Sequence, residues 1–135
     1  MKLCFVVQRY GLEVNGGAEL HCMQLAEHML PYCSKIDVLT TKAIDYMTWK
    51  NEYTSDVEDI NGICVRRFAV EAERNQEVFD EINARFMHGQ LKVEEEQEWI
   101  DKQGPLVPSL VNYLKEHQYD YDCIIFFAYL YYPSV

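Results

Sequence analysis

Two adjacent glycines, Gly16 and Gly17, stand where the apolar run KLCFVV gives way, through QRYGLEVN, to a helical pattern that lasts until Pro31. Glycine loses the most backbone freedom on folding, so a pair at such a junction marks either a demanding turn or a close approach that a Cβ would block. Phosphate is a group that often approaches there. At a helix N-terminus the backbone N–H groups of Gly16, Gly17 and Ala18 would face a phosphate or diphosphate, with Glu19 complementing the helix dipole. The competing reading is that the glycines only turn the chain. Two better-known phosphate loops do not fit. Gly11 and Gly16 have the spacing of a Walker loop, but Gly17 and Ala18 stand where its lysine and hydroxyl belong. The dinucleotide fingerprint G-x-G-x-x-G is absent, and the second strand ends in Thr40-Thr41 rather than in an acid. A receiver-type phosphoacceptor needs acids at the ends of the first and central strands, where this chain has Gln8-Arg9-Tyr10 and Ala128-Tyr129.

Ligands of open α/β sheets bind beyond the carboxyl ends of the strands, a rule that brings Arg9, Tyr10, Thr40, Thr41, Tyr129 and Tyr131 to one rim. Arg9 suits either an anionic acceptor or a neighbouring carboxylate. The tyrosines of YLYYP suit stacking on a sugar ring or packing against another domain, and Trp49 has the same two uses. The expected contacts are therefore Gly16, Gly17 and Ala18 for a diphosphate or sugar, and Arg9, Tyr10, Thr41, Tyr129 and Tyr131 for an acceptor. No side chain stands out as a catalytic base, with Glu19 and Asp45 the nearest candidates.

The remaining reactive side chains point away from metal and redox chemistry. Five cysteines (Cys4, Cys22, Cys33, Cys64, Cys123) form no C-x-x-C, and three of them sit in apolar strand-like runs or on an apolar helix face. His21 and His28 lie two turns apart on one helix, about 10.5 Å along its axis, too far to share an ion unaided. No metal is expected. The net charge of −10 argues against nucleic acid as a partner. The acids cluster in KVEEEQEW and SDVEDI, which read as solvated helix faces or loops. No apolar run approaches the roughly 20 residues of a membrane helix, and the N-terminus does not resemble a signal peptide, so a cytoplasmic location is expected.

The elements that must position these residues follow from periodicity. Lys2 to Val7 reads as a strand covered on both faces. Ala18, Cys22, Leu25, Ala26 and Met29 form one helix face, and KIDVLTT is a second strand. Strand, helix, strand makes a βαβ unit with parallel strands. Lys42 to Gly62 lacks a sustained period and reads as a long ordered loop, followed by a strand ICVRRFAV opened by the hairpin signal Asn61-Gly62. Helices are expected over Asn75–His88, more weakly over Leu91–Ile100, and from Pro105 through LVPSLVNYLKEH. Asp122–Ala128 reads as a fully buried strand. The whole, residues 1–135, is then a single α/β domain: a Rossmann-like, open, mostly parallel sheet of three or four strands flanked by helices. Its apolar last strand lacks a following helix, which is expected of a piece of a longer protein.

FVVQRYGLEVNGGAELHCMQLAEHM, followed by DVLTT and DYMTWKNEY, resembles the N-terminal domain of family 4 glycosyltransferases of the two-domain GT-B architecture. The shared frame is a first strand, a loop ending Gly-Gly-Ala-Glu, and a first helix with Leu-Ala-Glu facing inward. INGICVRRF, QGPLVPSL and FFAYLYYP resemble the same subgroup, so the similarity spans nearly the whole chain. It implies a retaining enzyme that moves a sugar from a nucleotide-sugar co-substrate to a glycan or small-molecule acceptor, without a metal ion or other cofactor. It also implies half a site. In that family this domain mainly binds the acceptor, and the donor is held chiefly by a C-terminal domain whose paired glutamates are not in these residues. By motif position Gly16 and Gly17 would approach the donor diphosphate or the transferred sugar. The implied partner is that missing domain, and peripheral membrane association of the full-length protein is compatible with the family. The alternative is a non-catalytic α/β module that docks a protein partner through a tyrosine-rich rim.

Overall fold

A computed structural model describes residues 1–127. They form a five-stranded sheet with helices on both faces, compatible with a Rossmann-like fold. Strand β1 (Lys2–Val6) lies between β2 (Lys35–Thr41) and β5 (Cys123–Phe126), and both neighbours run parallel to it. Beyond β2 comes β4 (Ile63–Phe68), also parallel, and then β3 (Val57–Ile60), antiparallel at the edge. The sheet order is β3-β4-β2-β1-β5.

Alternation along the strands divides the core in two. Leu3, Phe5, Val7, Ile36, Val38, Ile63 and Val65 face one side, where α1 (Gly17–Met29) covers them with Cys22 and Ala26. Cys4, Val6 and Leu39 face the other, where they meet Leu110 of α4 (Pro108–His117), Val107 and Trp49. Phe5, Val6 and Leu39 are fully buried, each contributing about 1.5–3 kcal/mol of transfer free energy. Two further helices, α2 (Gln76–Met87) and α3 (Val93–Gln103), pack against each other through a stacked Phe86 and Trp99, with ring centroids 4.3 Å apart.

The expected βαβ unit is present, and four expectations are corrected. The stretch Lys42 to Gly62 is not all loop: Val57–Ile60 is strand, joined to β4 by Asn61 and Gly62, whose φ angles of 54° and 87° suit a tight primed turn. Its VEDI sequence hides a strand because charge is what an edge strand carries. The sheet accordingly has five strands rather than three or four. The last helix starts at Pro108 and not at Pro105, which follows a cis peptide bond after Gly104. Among the described residues β5 is an edge strand with Cys123 and Phe126 exposed, not the fully buried strand expected, and Ala128, the end of that expected strand, lies outside them.

The loop after β2 is fastened at several points. Glu52 and Tyr53 N–H groups both donate to the Lys42 carbonyl, and the Asn51 amide bonds the Val70 backbone in both directions. Trp49 is 4% exposed, and its indole N–H donates to the Gln103 carbonyl at 3.0 Å. Gly104 faces that ring so closely that an added Cβ would lie 2.9 Å from Trp49 Cδ1. Trp49 thus packs in the core of this domain, which is neither of the two uses expected for it, a sugar ring or another domain.

Candidate functional site at the carboxyl ends of the strands

β1 ends at the carboxyl rim, and residues 7–16 carry the chain from it to the N-terminus of α1. Arg9 organises this segment. Its Nε and one terminal nitrogen donate to the Glu19 carboxylate at 3.0 and 2.7 Å. The same terminal nitrogen reaches the Asn15 carbonyl at 3.0 Å, and the other the Ile44 carbonyl at 2.9 Å. Four of the five N–H donors of a guanidinium are thereby used. The pair is nearly dry, with side chains 8% and 13% exposed. Glu19 lies in the first turn of α1, where a carboxylate also complements the helix dipole. Tyr46 covers the guanidinium from 5.2 Å.

The two glycines have different reasons to be glycine. Gly16, the residue before α1, has extended backbone, but an added Cβ would lie 2.1 Å from Glu19 Oε2 and 3.0 Å from an Arg9 nitrogen. Its bareness is required by the ion pair folded over it. Gly17, the first residue of the helix, has nothing within 4 Å of an added Cβ. Nothing in the described chain fills that side. Gly17 therefore presents an open backbone at the positive end of a 13-residue helix, on the rim where open α/β sheets take ligands.

The other expected site residues are placed as follows. Tyr10 is fully buried in the core beneath α1, its hydroxyl without a partner, and burial pushes its phenol above the ordinary value. Thr41 is buried too: its hydroxyl donates to the Gln8 carbonyl at 2.6 Å and accepts from the Ala43 N–H at 3.1 Å, tying the ends of β1 and β2 together. In this arrangement Arg9, Tyr10 and Thr41 hold the rim's shape and turn no free polar group outward for an acceptor. Ala18 is exposed beside Gly17. Tyr129 and Tyr131 lie outside the described residues. Asp45 accepts from the Met47 N–H as a turn residue, and Glu19 is committed to Arg9. Among the described residues no group of three or more His, Cys, Asp or Glu side chains is placed to hold a metal ion. No described helix is long and apolar enough to cross a membrane.

A second cluster, centred on Arg67, was not anticipated. Its side chain is completely buried, donates from two nitrogens to Glu58 Oε1 at 3.0 and 2.8 Å and from the third to the Thr41 carbonyl, and lies 3.6 Å over the ring of Tyr53. Tyr53 in turn passes directly over Gly11, where a Cβ would lie 2.1 Å from its hydroxyl. That hydroxyl donates to Glu13 at 2.6 Å and holds its carboxyl below the ordinary value, while burial pushes the phenol itself up to about 12. Glu13, Tyr53, Glu58 and Asp59 border a cleft of about 280 Å³ whose carboxylates would repel an anion. The sequence signal was the VRRF run: in a strand, consecutive arginines go to opposite faces, so at least one must enter the structure. No family model, no curated protein and no solved structure matches the chain.

Proposed function

We propose that this chain is the acceptor-side domain of a retaining glycosyltransferase of the family 4 type, moving a sugar from a nucleotide-sugar donor to a glycan or other acceptor, and inactive without a second domain. The observation that carries the reading is Gly17, whose missing side chain is explained by no contact within the described chain although it opens α1 at the carboxyl rim. The ordered series around Gly-Gly-Ala-Glu supplies the sugar-transfer part of the reading. In this proposal the backbone N–H groups of Gly17 and Ala18 face the donor diphosphate or the transferred sugar. Gly16 keeps the loop closed under Glu19. The Arg9–Glu19 pair sets the direction of the helix start and takes no part in the chemistry. Transfer would need no metal ion, the helix N-terminus supplying part of the stabilisation of the leaving diphosphate.

The test is transfer and hydrolysis by the full-length product of the parent gene against a panel of nucleotide sugars, beside Gly17→Ala and Gly17→Val. Loss of transfer by a factor of at least about ten, with the far-UV spectrum and melting midpoint retained, is the expected result, because a methyl group would occupy the space of a bonded phosphate oxygen. Unchanged transfer in both variants would mean that Gly17 only begins the helix. Absence of donor binding in any form would favour a non-catalytic module that docks a protein partner.

A further inference from the structure

We propose that the cleft on the α4 side of the sheet, beside Arg66, binds a phosphate monoester. Arg66 and Arg67 are consecutive in β4, and alternation sends them to opposite faces. Arg67 is satisfied by Glu58 and the Thr41 carbonyl. Arg66 lies over Tyr113 of α4, its guanidinium carbon 5.5 Å from the ring centroid, and its Nε is buried with no hydrogen-bond partner. None of the ion pairs among the described residues includes it; Glu58, Glu19, Asp37, Asp56 and Glu95 all pair with other cations. A desolvated donor on a cation is costly unless an acceptor meets it. That acceptor is what the cleft admits.

The cleft has a volume of about 300 Å³ and is lined by Lys42, Asp56, Arg66, Phe68, Ser109 and Tyr113, among others. Its far wall is the start of α4. Ser109 and Tyr113, one turn apart on one side of that helix, line it, so the cleft has the Ser109 hydroxyl on this wall. Lys42 Nζ reaches the cleft from the loop after β2 and is bonded to Asp56 Oδ1 at 2.6 Å. Asp56 is the one carboxylate lining the cleft, and at 82% exposure it is free to turn into solvent when a stronger anion arrives. The arginine fork, an ammonium and a hydroxyl match the three oxygens and double charge of a phosphate better than the two oxygens of a carboxylate. The apolar part of the lining, Val57, Phe68 and Ala69, leaves space for the small molecule that bears it. The cleft opens at the carboxyl end of β4, where α/β sheets take ligands, and in a chain of net charge −10 it is a place where cations outnumber acids. The inference requires no donor at Gly17 and stands or falls separately from sugar transfer.

The experiment is a titration of the isotope-labelled 135-residue chain with inorganic phosphate, glycerol 1-phosphate and acetate at constant ionic strength, read at the amides of Ala69, Ser109 and Tyr113. Saturable shifts with both phosphates, tighter for the monoester, and none with acetate are expected. Arg66→Gln should weaken binding by about tenfold or more. Ser109→Glu, which puts a carboxylate into the cleft without touching β4, should abolish saturation and decides the matter if Arg66→Gln fails to fold. Lys102→Gln on α3 should bind as the parent does. Unsaturable shifts, shifts spread over the whole surface, equal binding in the two cleft variants and the parent, acetate binding as tightly as phosphate, or inorganic phosphate binding more tightly than the ester would each overturn the proposal.

Discussion

The Arg9–Glu19 and Arg67–Glu58 pairs are built from the same parts: an arginine beyond or at the end of a parallel strand, one carboxylate, a backbone carbonyl from the chain around the end of β2, and a tyrosine over the guanidinium. They differ in what they join. Glu58 lies in β3, so Arg67 fastens the edge strand to the sheet, with Tyr53 pressed on at 3.6 Å through the gap that Gly11 leaves. Glu19 lies in α1, so Arg9 fastens a loop to the start of a helix, under a Tyr46 that is 5.2 Å away and 55% exposed. The first cluster maintains the sheet. The second sets where the N–H groups of a helix start point.

Removing each arginine separates these roles most sharply. Arg67→Met removes the completely buried guanidinium that ties Glu58 of β3 to the Thr41 carbonyl and should cost about 3 kcal/mol of global stability in urea unfolding. Arg9→Met should cost less, about 1–2 kcal/mol, because Glu19 keeps the favourable field of the helix start. It should nonetheless speed hydrogen exchange selectively at residues 15–18. Equal losses, or no selective exchange, would erase the distinction.

The glycines give a smaller contrast inside one cluster. Gly16→Ala must expel the Glu19 carboxylate and should destabilise by about 1–2 kcal/mol. Gly17→Ala meets nothing and should lie within about 0.5 kcal/mol of the parent, on the stabilising side, because alanine has less freedom to lose in a helix. A costly Gly17→Ala would mean that the open face is closed by some part of the molecule.

The finest effect is electrostatic and belongs to the Arg67 side. In the folded protein the Tyr53 hydroxyl holds the Glu13 carboxyl below its ordinary value, so folded Glu13 takes up a proton less readily than unfolded Glu13. The associated stability is fully present above the ordinary carboxyl value, about 4.3, and is lost as pH falls through the lower folded one. Tyr53→Phe should raise Glu13 toward the ordinary range in a titration followed by carboxyl carbon shifts. A Glu13 titration that does not move would show that Tyr53 and Glu13 are not bonded in solution.

The frame of the fold was legible in the sequence because β1 and β2 are short apolar runs and α1 has one unambiguous helical period, and Cys22 and Ala26 fall on the buried face that the spacing marks. The site was legible only in its backbone. Gly16, Gly17 and Ala18 stand where the handover from strand to helix put them. Sequence position at the rim did not reveal that Arg9, Tyr10 and Thr41 face inward, because proximity to a rim fixes where a Cα lies and not which partner its side chain finds. The Arg67 cluster depends on Tyr53, Glu58 and Gly11 meeting across three separate segments, and no local pattern encodes such a meeting.

The place of β1 in the sheet has a consequence for how the protein is made. β1 is flanked by β2 and β5, and the hydrogen bond from the Lys2 N–H to the Asp122 carboxylate joins residues 120 positions apart. At ordinary rates of synthesis β1 waits roughly 6–24 s for that second neighbour. For most of that interval β1, with β2 already made to pair on one side, keeps its other edge open in the nascent chain.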